Sequence, residues 1–221
     1  MINEKLTEIY ELLLQHFGAQ NWWPGETQFE IITGAILTQN TNWANVEKAI
    51  NNLKAENLLN PESIYRMQTS KLEKLIRPAG YYKVKAKRLK NFINRLFENY
   101  NGSIEQLDMV NTEQLRAELL GIKGIGYETA DSILLYALKR KVFVVDAYTA
   151  RIAVRHGLIV PPFDYEQLRE LFQSNLPQDV KLFNEYHALI VKLGKEFCKR
   201  KPKCPDCPLE KLPHTIESEH I

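Results

Sequence analysis

The chain has 221 residues, of which 44% are hydrophobic and 25% charged, and it carries a net charge of +2. There is apolar material for one large or two small cores, no run near the roughly 20 apolar residues of a membrane span and no low-complexity stretch, which leaves an ordinary soluble globular protein. The acid-bearing start MINEKLTEIYELLLQHF does not read as a signal peptide, so a cytoplasmic protein is expected, and charge this mild does not by itself imply nucleic acid.

From the N-terminus, apolar residues recur at three-to-four spacing over 6–17, 29–37, 46–53, 71–76, 86–97, 112–120, 128–138, 148–155, 165–174 and 181–195, which predicts a helix at each. Asn111, before Thr112 and Glu113, and Asp164, before Tyr165 and Glu166, read as N-caps with an acid in the first turn. The β-branched runs at 142–145 and 158–163 are short and broken by Asp146 or by proline, so no sheet is expected. The fold class is all-α.

Several segments along that order carry chemistry. The tryptophans, Trp22, Trp23 and Trp43, all lie near the N-terminus; Trp22-Trp23-Pro24 is a poor helix segment and Trp43 follows a polar run. Such rings fill a core or line a cleft. The run from Tyr81 to Lys90 concentrates positive charge, either as a solvated helix face or as a phosphate contact. Gly124-Ile125-Gly126 precedes a predicted helix, and a turn of that kind can reach positive φ and aim backbone N–H groups at a phosphate without reading base sequence. Asp146 ends the apolar run 142–145 and directly precedes another predicted helix, which suits an N-cap. A carboxylate held ionised there could also stabilise an oxocarbenium-like transition state at a sugar. Cys198, Cys204 and Cys207 are crowded near the C-terminus, a pattern that suits metal ligation better than a disulfide framework.

The segment IKGIGYETA at 122–130, followed by Val145-Asp146, resembles the helix-hairpin-helix motif of the DNA glycosylase superfamily that includes endonuclease III. The resemblance spans most of the chain. It implies a central helical lobe at 28–139, a second lobe from 1–27 with 140–221, and between them a DNA-binding cleft that sets the hairpin beside Asp146. It further implies DNA contacts from Ile122, Lys123, Gly124, Ile125 and Gly126, a catalytic role for Asp146, and damaged double-stranded DNA as the partner of a monomeric enzyme. The lysine that forms a Schiff base in bifunctional members falls on Glu128, so base excision with water as nucleophile, without strand cleavage, is expected.

WWP at 22–24, LTQNTNW at 37–43, RPAGYYKVKAKRL at 77–89, GIGYE and VVDAY are similar to a bacterial 3-methyladenine DNA glycosylase subfamily. That likeness implies a base pocket with Trp22, Trp23, Pro24, Trp43, Glu128 and Lys195, a duplex wedge at Gln39, and backbone contacts from Lys85, Lys87 and Arg88. An N3-methylated adenine is cationic and leaves readily, and a cation between indole faces would gain roughly 0.5–2 kcal/mol. KPKCPDCPLEKL is similar to the [4Fe–4S] loop of the endonuclease III group, Cys-x6-Cys-x2-Cys-x5-Cys. Here the spacing is Cys198-x5-Cys204-x2-Cys207, with Pro213 where the fourth cysteine would stand. The loop at 198–214 could hold a cluster, with His214 supplying the missing ligand to iron or that ligand absent, or a Cys3His zinc completed by His214, or no metal. Two alternatives stay open: an endonuclease III-like enzyme for oxidised pyrimidines with strand-cleaving lyase activity, which Glu128 opposes, and a helix-hairpin-helix DNA-binding protein without catalysis.

Overall fold

A computed structural model describes residues 1–216 and contains, among them, helices and no strand. In chain order the helices are α1 (Ile2–Phe17), α2 (Gln28–Leu37), α3 (Trp43–Ala55), α4 (Pro61–Arg66), α5 (Thr69–Leu75), α6 (Tyr82–Tyr100), α7 (Thr112–Leu120), α8 (Tyr127–Ser132), α9 (Ala147–Arg155), α10 (Tyr165–Asn175) and α11 (Val180–Glu196). The starts follow the chemistry of the first turn. The side chains of Thr27, Asn42, Asn60, Asn111, Asp164 and Asp179 each accept a backbone N–H that the helix itself leaves unpaired. No helix among the described residues is long and apolar enough to cross a membrane.

The chain forms two compact units. One is Trp23–Arg140 and the other is Met1–Trp22 with Lys141–Ile221.

In the Trp23–Arg140 unit, α2 is the central helix, buried along its length from Phe29 to Leu37, and α3, α6 and α8 pack around it. Its one acid, Glu30, is held by Lys54 of α3 at 2.9 Å. Helices α7 and α8 are joined by the turn at 121–126 and clamped by a buried pair. Arg116 Nε donates to Asp131 Oδ1 at 2.6 Å and Arg116 Nη2 to Oδ2 at 3.0 Å, with the Asp131 side chain fully buried. Beyond α8 the chain widens into a π-turn at Ile133–Ala137, all of it buried.

The other unit gathers α1, α9, α10 and α11. Phe143 lies in the extended, buried run 142–145 and stacks on Phe172 of α10, ring centroids 4.8 Å apart. Phe183 and Tyr186 of α11 meet it edge-on. The Tyr186 hydroxyl donates to the Leu6 carbonyl of α1 at 2.8 Å, so the buried phenol is satisfied. Helices α9 and α11 approach closely because Gly194 has no Cβ, which would otherwise overlap the Tyr148 ring.

The Arg116–Asp131 clamp is testable through stability. Arg116→Met removes the bidentate partner of a fully buried carboxylate and should cost about 3–5 kcal/mol in urea unfolding. Replacing both partners by apolar residues should recover most of that loss. A single variant within 0.5 kcal/mol of wild type would show that the pair does not hold the two helices.

Candidate nucleic-acid interface and catalytic carboxylate

The turn between α7 and α8 is held from behind by side chains. Gly124 has φ +100, a conformation that L side chains rarely adopt, and a Cβ there would run into the Arg88 side chain. Asn91 Nδ2 donates to the Lys123 carbonyl at 2.8 Å, and Gln39 Nε2 donates to the Gly124 carbonyl at 3.2 Å and to the Thr129 hydroxyl at 2.9 Å. Arg88 in turn donates to Gln39 Oε1. The carbonyls of Lys123 and Gly124 are gripped from the protein side, the Ile125 N–H donates to the Ile122 carbonyl at 3.0 Å, and the N–H groups of Gly124 and Gly126 donate to no acceptor among the described residues.

Gly126 differs from the expectation that both glycines serve the turn's φ. Its φ is −97 with an extended ψ, open to any residue, and a Cβ there would meet nothing. Ile122 and Ile125 are buried at 6% and 4% exposure, so any part they take in binding is through backbone, their side chains being core. Lys123 and Lys87 are exposed. Lys85 corrects the reading of a continuous basic face. It is 1% exposed and donates from Nζ to the Ala79 carbonyl at 2.8 Å, which removes it from phosphate contact, and burial pushes its pKa down to about 8.

Trp23 and Trp43 belong to the Trp23–Arg140 unit and touch each other. Their centroids are 5.2 Å apart at 86°, and Trp23 also lies against buried Tyr136 at 5.0 Å. A Cβ on Gly34 of α2 would meet both indoles at 3.3 Å, so the glycine is what lets them sit on the helix. An edge-to-face pair in contact leaves no slot for a flat base between the two rings. The expectation of a base gripped between these indoles is therefore corrected: Trp23 and Trp43 form one aromatic block, and only an outer face is available for stacking. Pro24 is exposed. Trp22 and Lys195 lie in the other unit, half-buried and exposed respectively.

Asp146 lies in that same unit as the N-cap of α9. Its Oδ1 accepts the Thr149 N–H at 2.8 Å and the Thr149 hydroxyl at 2.9 Å, while Thr149 Oγ1 accepts the Asp146 N–H at 3.3 Å. Oδ2 is left facing His187 Nε2 at 3.7 Å, an electrostatic contact too long to be a good hydrogen bond. The side chain is only 11% exposed. Burial alone would raise its pKa, but His187 and the Thr149 donors outweigh that and hold the carboxyl below its ordinary value.

The C-terminal loop folds against α9 and α11. Cys198, Cys204 and Cys207 are free thiols, and Arg155 donates to the Cys198 sulphur at 3.2 Å. All three, with His156 and His214, line one small hollow. Among the described residues no three His, Cys, Asp or Glu side chains gather tightly enough for a single metal ion. A tetrahedral zinc, with sulphurs about 2.3 Å from the metal, does not fit that spread.

Residues 33–178 match the HhH-GPD superfamily base excision DNA repair protein family. The chain belongs to that family. A Methanocaldococcus jannaschii protein provisionally named a DNA repair glycosylase is 52% identical over 211 residues, 95% of this chain and 96% of that protein. The H. pylori 3-methyladenine DNA glycosylase, solved with 1,N6-ethenoadenine, superposes with a TM-score of 0.75 at 31% identity, over 88% of this chain and 97% of its own. An endonuclease III–DNA complex superposes with a TM-score of 0.81 over 96% and 94% of the two chains; at 23% identity the likeness is one of fold.

Within this HhH-GPD chain, Glu128 stands exposed in the first turn of α8, where its charge suits the helix dipole. Sequence reasoning missed Asn91, Thr129 and Tyr136. The first two are ordinary polar residues whose partners, the Lys123 carbonyl for Asn91 and the Gln39 amide nitrogen for Thr129, are distant in sequence, and Tyr136 sits inside an apolar run.

The two glycines should separate by experiment. Gly124→Ala should lose about 1–3 kcal/mol of stability through strain at positive φ, whereas Gly126→Ala should fold within about 0.5 kcal/mol of wild type and weaken DNA binding alone. Lys85→Met should leave the salt slope of DNA binding unchanged, and Lys87→Met should reduce it. Thermal unfolding and titration of a duplex at several salt concentrations read all four variants.

Proposed function

We propose that the chain is a monofunctional DNA glycosylase that removes alkylated purines of the 3-methyladenine type. The observation that carries this reading is Asp146: a carboxylate nearly buried yet held ionised, with Oδ1 fixed by the cap and Oδ2 3.7 Å from His187 Nε2. In the proposed reaction the C1′–N bond breaks with its electron pair going to the base. Asp146 stabilises the sugar cation, and water adds at C1′ and gives up a proton. A base methylated on N3 of adenine starts cationic and leaves neutral, so no general acid is required. Glu128, at the position of the Schiff-base lysine, supplies no amine for a covalent intermediate, which supports excision without strand cleavage.

The substrate class rests on the H. pylori enzyme, a 3-methyladenine DNA glycosylase at 31% identity whose length the match nearly spans. Trp43 is half-buried and keeps indole surface on which a cationic purine would gain roughly 0.5–2 kcal/mol. The hairpin amides would hold a phosphate of damaged double-stranded DNA, and Gly126, with nothing beside it, leaves room for close approach.

The test is excision from duplexes carrying 3-methyladenine, thymine glycol or an abasic site. Release of methylated adenine without strand scission is expected, and borohydride should trap no covalent adduct. Asp146→Asn keeps a capping side chain, so the fold should survive while the rate drops on the order of 10²–10³-fold. Excision of thymine glycol with a trapped adduct would establish the endonuclease III-like reading, and binding without excision of any lesion would establish a non-catalytic protein.

The pH dependence has a fixed sign. Because the folded-state pKa of Asp146 is depressed, its capping stability and its reactive charge are present above the ordinary carboxylate value and are lost as pH falls through the lower, folded value. Excision that loses an Asp146-dependent limb between pH 5 and 7 would contradict this.

A further inference from the structure

Helix α2 is buried along its length, and Glu30 is buried with it, its side chain only 9% exposed. An apolar residue there would avoid the cost of burying a charge, so the acid has to be explained by what its oxygens hold. Thr27 and Glu30 have the spacing of a capping box, in which the acid turns back to the N–H of the capping residue. Thr27 Oγ1 does accept the Glu30 N–H at 3.1 Å, but Glu30 Oε2 reaches past Thr27 and accepts the Glu26 N–H at 3.2 Å. Its Oε1 lies 2.9 Å from Lys54 Nζ, in the last turn of α3, and the same ammonium donates to Glu26 Oε2 at 3.0 Å. Residues 24–26 make no backbone-to-backbone hydrogen bond among the described residues, so this three-way knot fastens them to α2. They lie close against that helix, since a Cβ on Gly25 would come 2.6 Å from the Ile31 side chain.

One carboxylate thereby ties down both elements that carry the paired indoles. Trp23 immediately precedes the fastened segment, and α3, which Lys54 anchors, begins at Trp43. Trp23 meets Trp43 edge-on and lies against Tyr136 of the π-turn, so a shift of the segment would move Trp23 and with it the orientation of the Trp43 face. We propose that Glu30 is a positioning residue for the base pocket, holding Trp23 and Trp43 in register on α2. Its effect on excision rests on the glycosylase reading above; its effect on the indoles does not.

The full chain labelled with fluorotryptophan gives a ¹⁹F resonance for each indole, assigned by replacing Trp22, Trp23 and Trp43 singly with phenylalanine. Glu30→Leu fills the site without a charge and should melt at or above the wild-type temperature. Its Trp23 and Trp43 resonances should nonetheless shift or broaden. Release of 3-methyladenine from a duplex in a single turnover should fall on the order of 10–10²-fold, the cost of misplacing a bound group. Affinity for undamaged duplex and its salt slope should stay as in wild type, because the hairpin is untouched. Glu30→Gln keeps an acceptor for the Glu26 N–H and should restore the resonances and most of the rate. Lys54→Met, at a side chain one-third exposed, cuts the tie to α3 and carries the same readouts should Glu30→Leu fail to fold. Wild-type resonances in the folded variant overturn the positioning role, and so does an unchanged excision rate once the indoles have moved. A wild-type chain that excises no methylated base defeats the glycosylase reading instead, and the ¹⁹F spectra still decide whether Glu30 sets the indoles.

Discussion

Asp146 sets the constraint under which its whole unit is arranged: a carboxylate with little exposure must stay charged. Desolvation works against it, and an isolated buried carboxylate would take up a proton instead. Three sources of positive potential oppose that, namely the start of α9, the two Thr149 donors and His187 on α11. Each needs its helix in place. The close approach of α9 and α11, which Gly194 permits, is therefore part of the electrostatics as well as the packing. The extended run 142–145 delivers Asp146 to the cap because its apolar side chains are buried around Phe143, so hydrophobic burial positions a charge that burial alone would neutralise.

The hairpin meets a different constraint, a positive φ at one residue that glycine adopts without strain and a residue with a Cβ does not. The residues around Gly124 are fixed: the Arg116–Asp131 pair clamps the helices on either side, and Asn91, Gln39 and Arg88 occupy the carbonyl face. Gln39 takes on a positioning role that its place in a polar run did not suggest. Its amide nitrogen joins the hairpin to Thr129 while its oxygen accepts from Arg88, so Arg88 supports the hairpin through Gln39 as well as lying on a basic helix.

Most of the helices could be read from apolar spacing, because amphipathic helices buried on one face write their period into the sequence. The segment 61–66 could not: α4 is six residues long, too short to show a period, and depends on the Asn60 cap and Pro61 at its start. The Asp146 cap was legible from an acid between an apolar run and a helix, as was the exposed acid at Glu128. Lys85 and the tryptophans were less so. A lysine in a row of lysines reads as surface, yet the helical period turns Lys85 inward, where the Ala79 carbonyl receives it. Trp23 and Trp43 are distant in sequence, and their rings meet over Gly34, where a side chain would crowd both. Helix periods and caps, set by local order, can be read from sequence; which side chain meets which cannot, nor could the ordinary backbone of Gly126.

The replacement at Glu128 and the proposed cationic substrate are linked by one argument about leaving groups. An enzyme with a nucleophilic amine can hold the sugar covalently and tolerate a poorer leaving base, since the difficult step is divided in two. Without it, departure of the base must itself generate a sugar cation, and the barrier depends on how well the base carries the electron pair away. A neutral oxidised pyrimidine leaves as an anion, which needs a proton or strong donors at its carbonyls. A methylated, cationic purine leaves neutral, and needs only that the cation forming on the sugar be met by negative charge. Asp146 supplies a charge of that kind, held ready by its cap and independent of proton uptake at neutral pH. On that reading, a carboxylate at 128 and an alkylated purine substrate are consequences of the same chemistry.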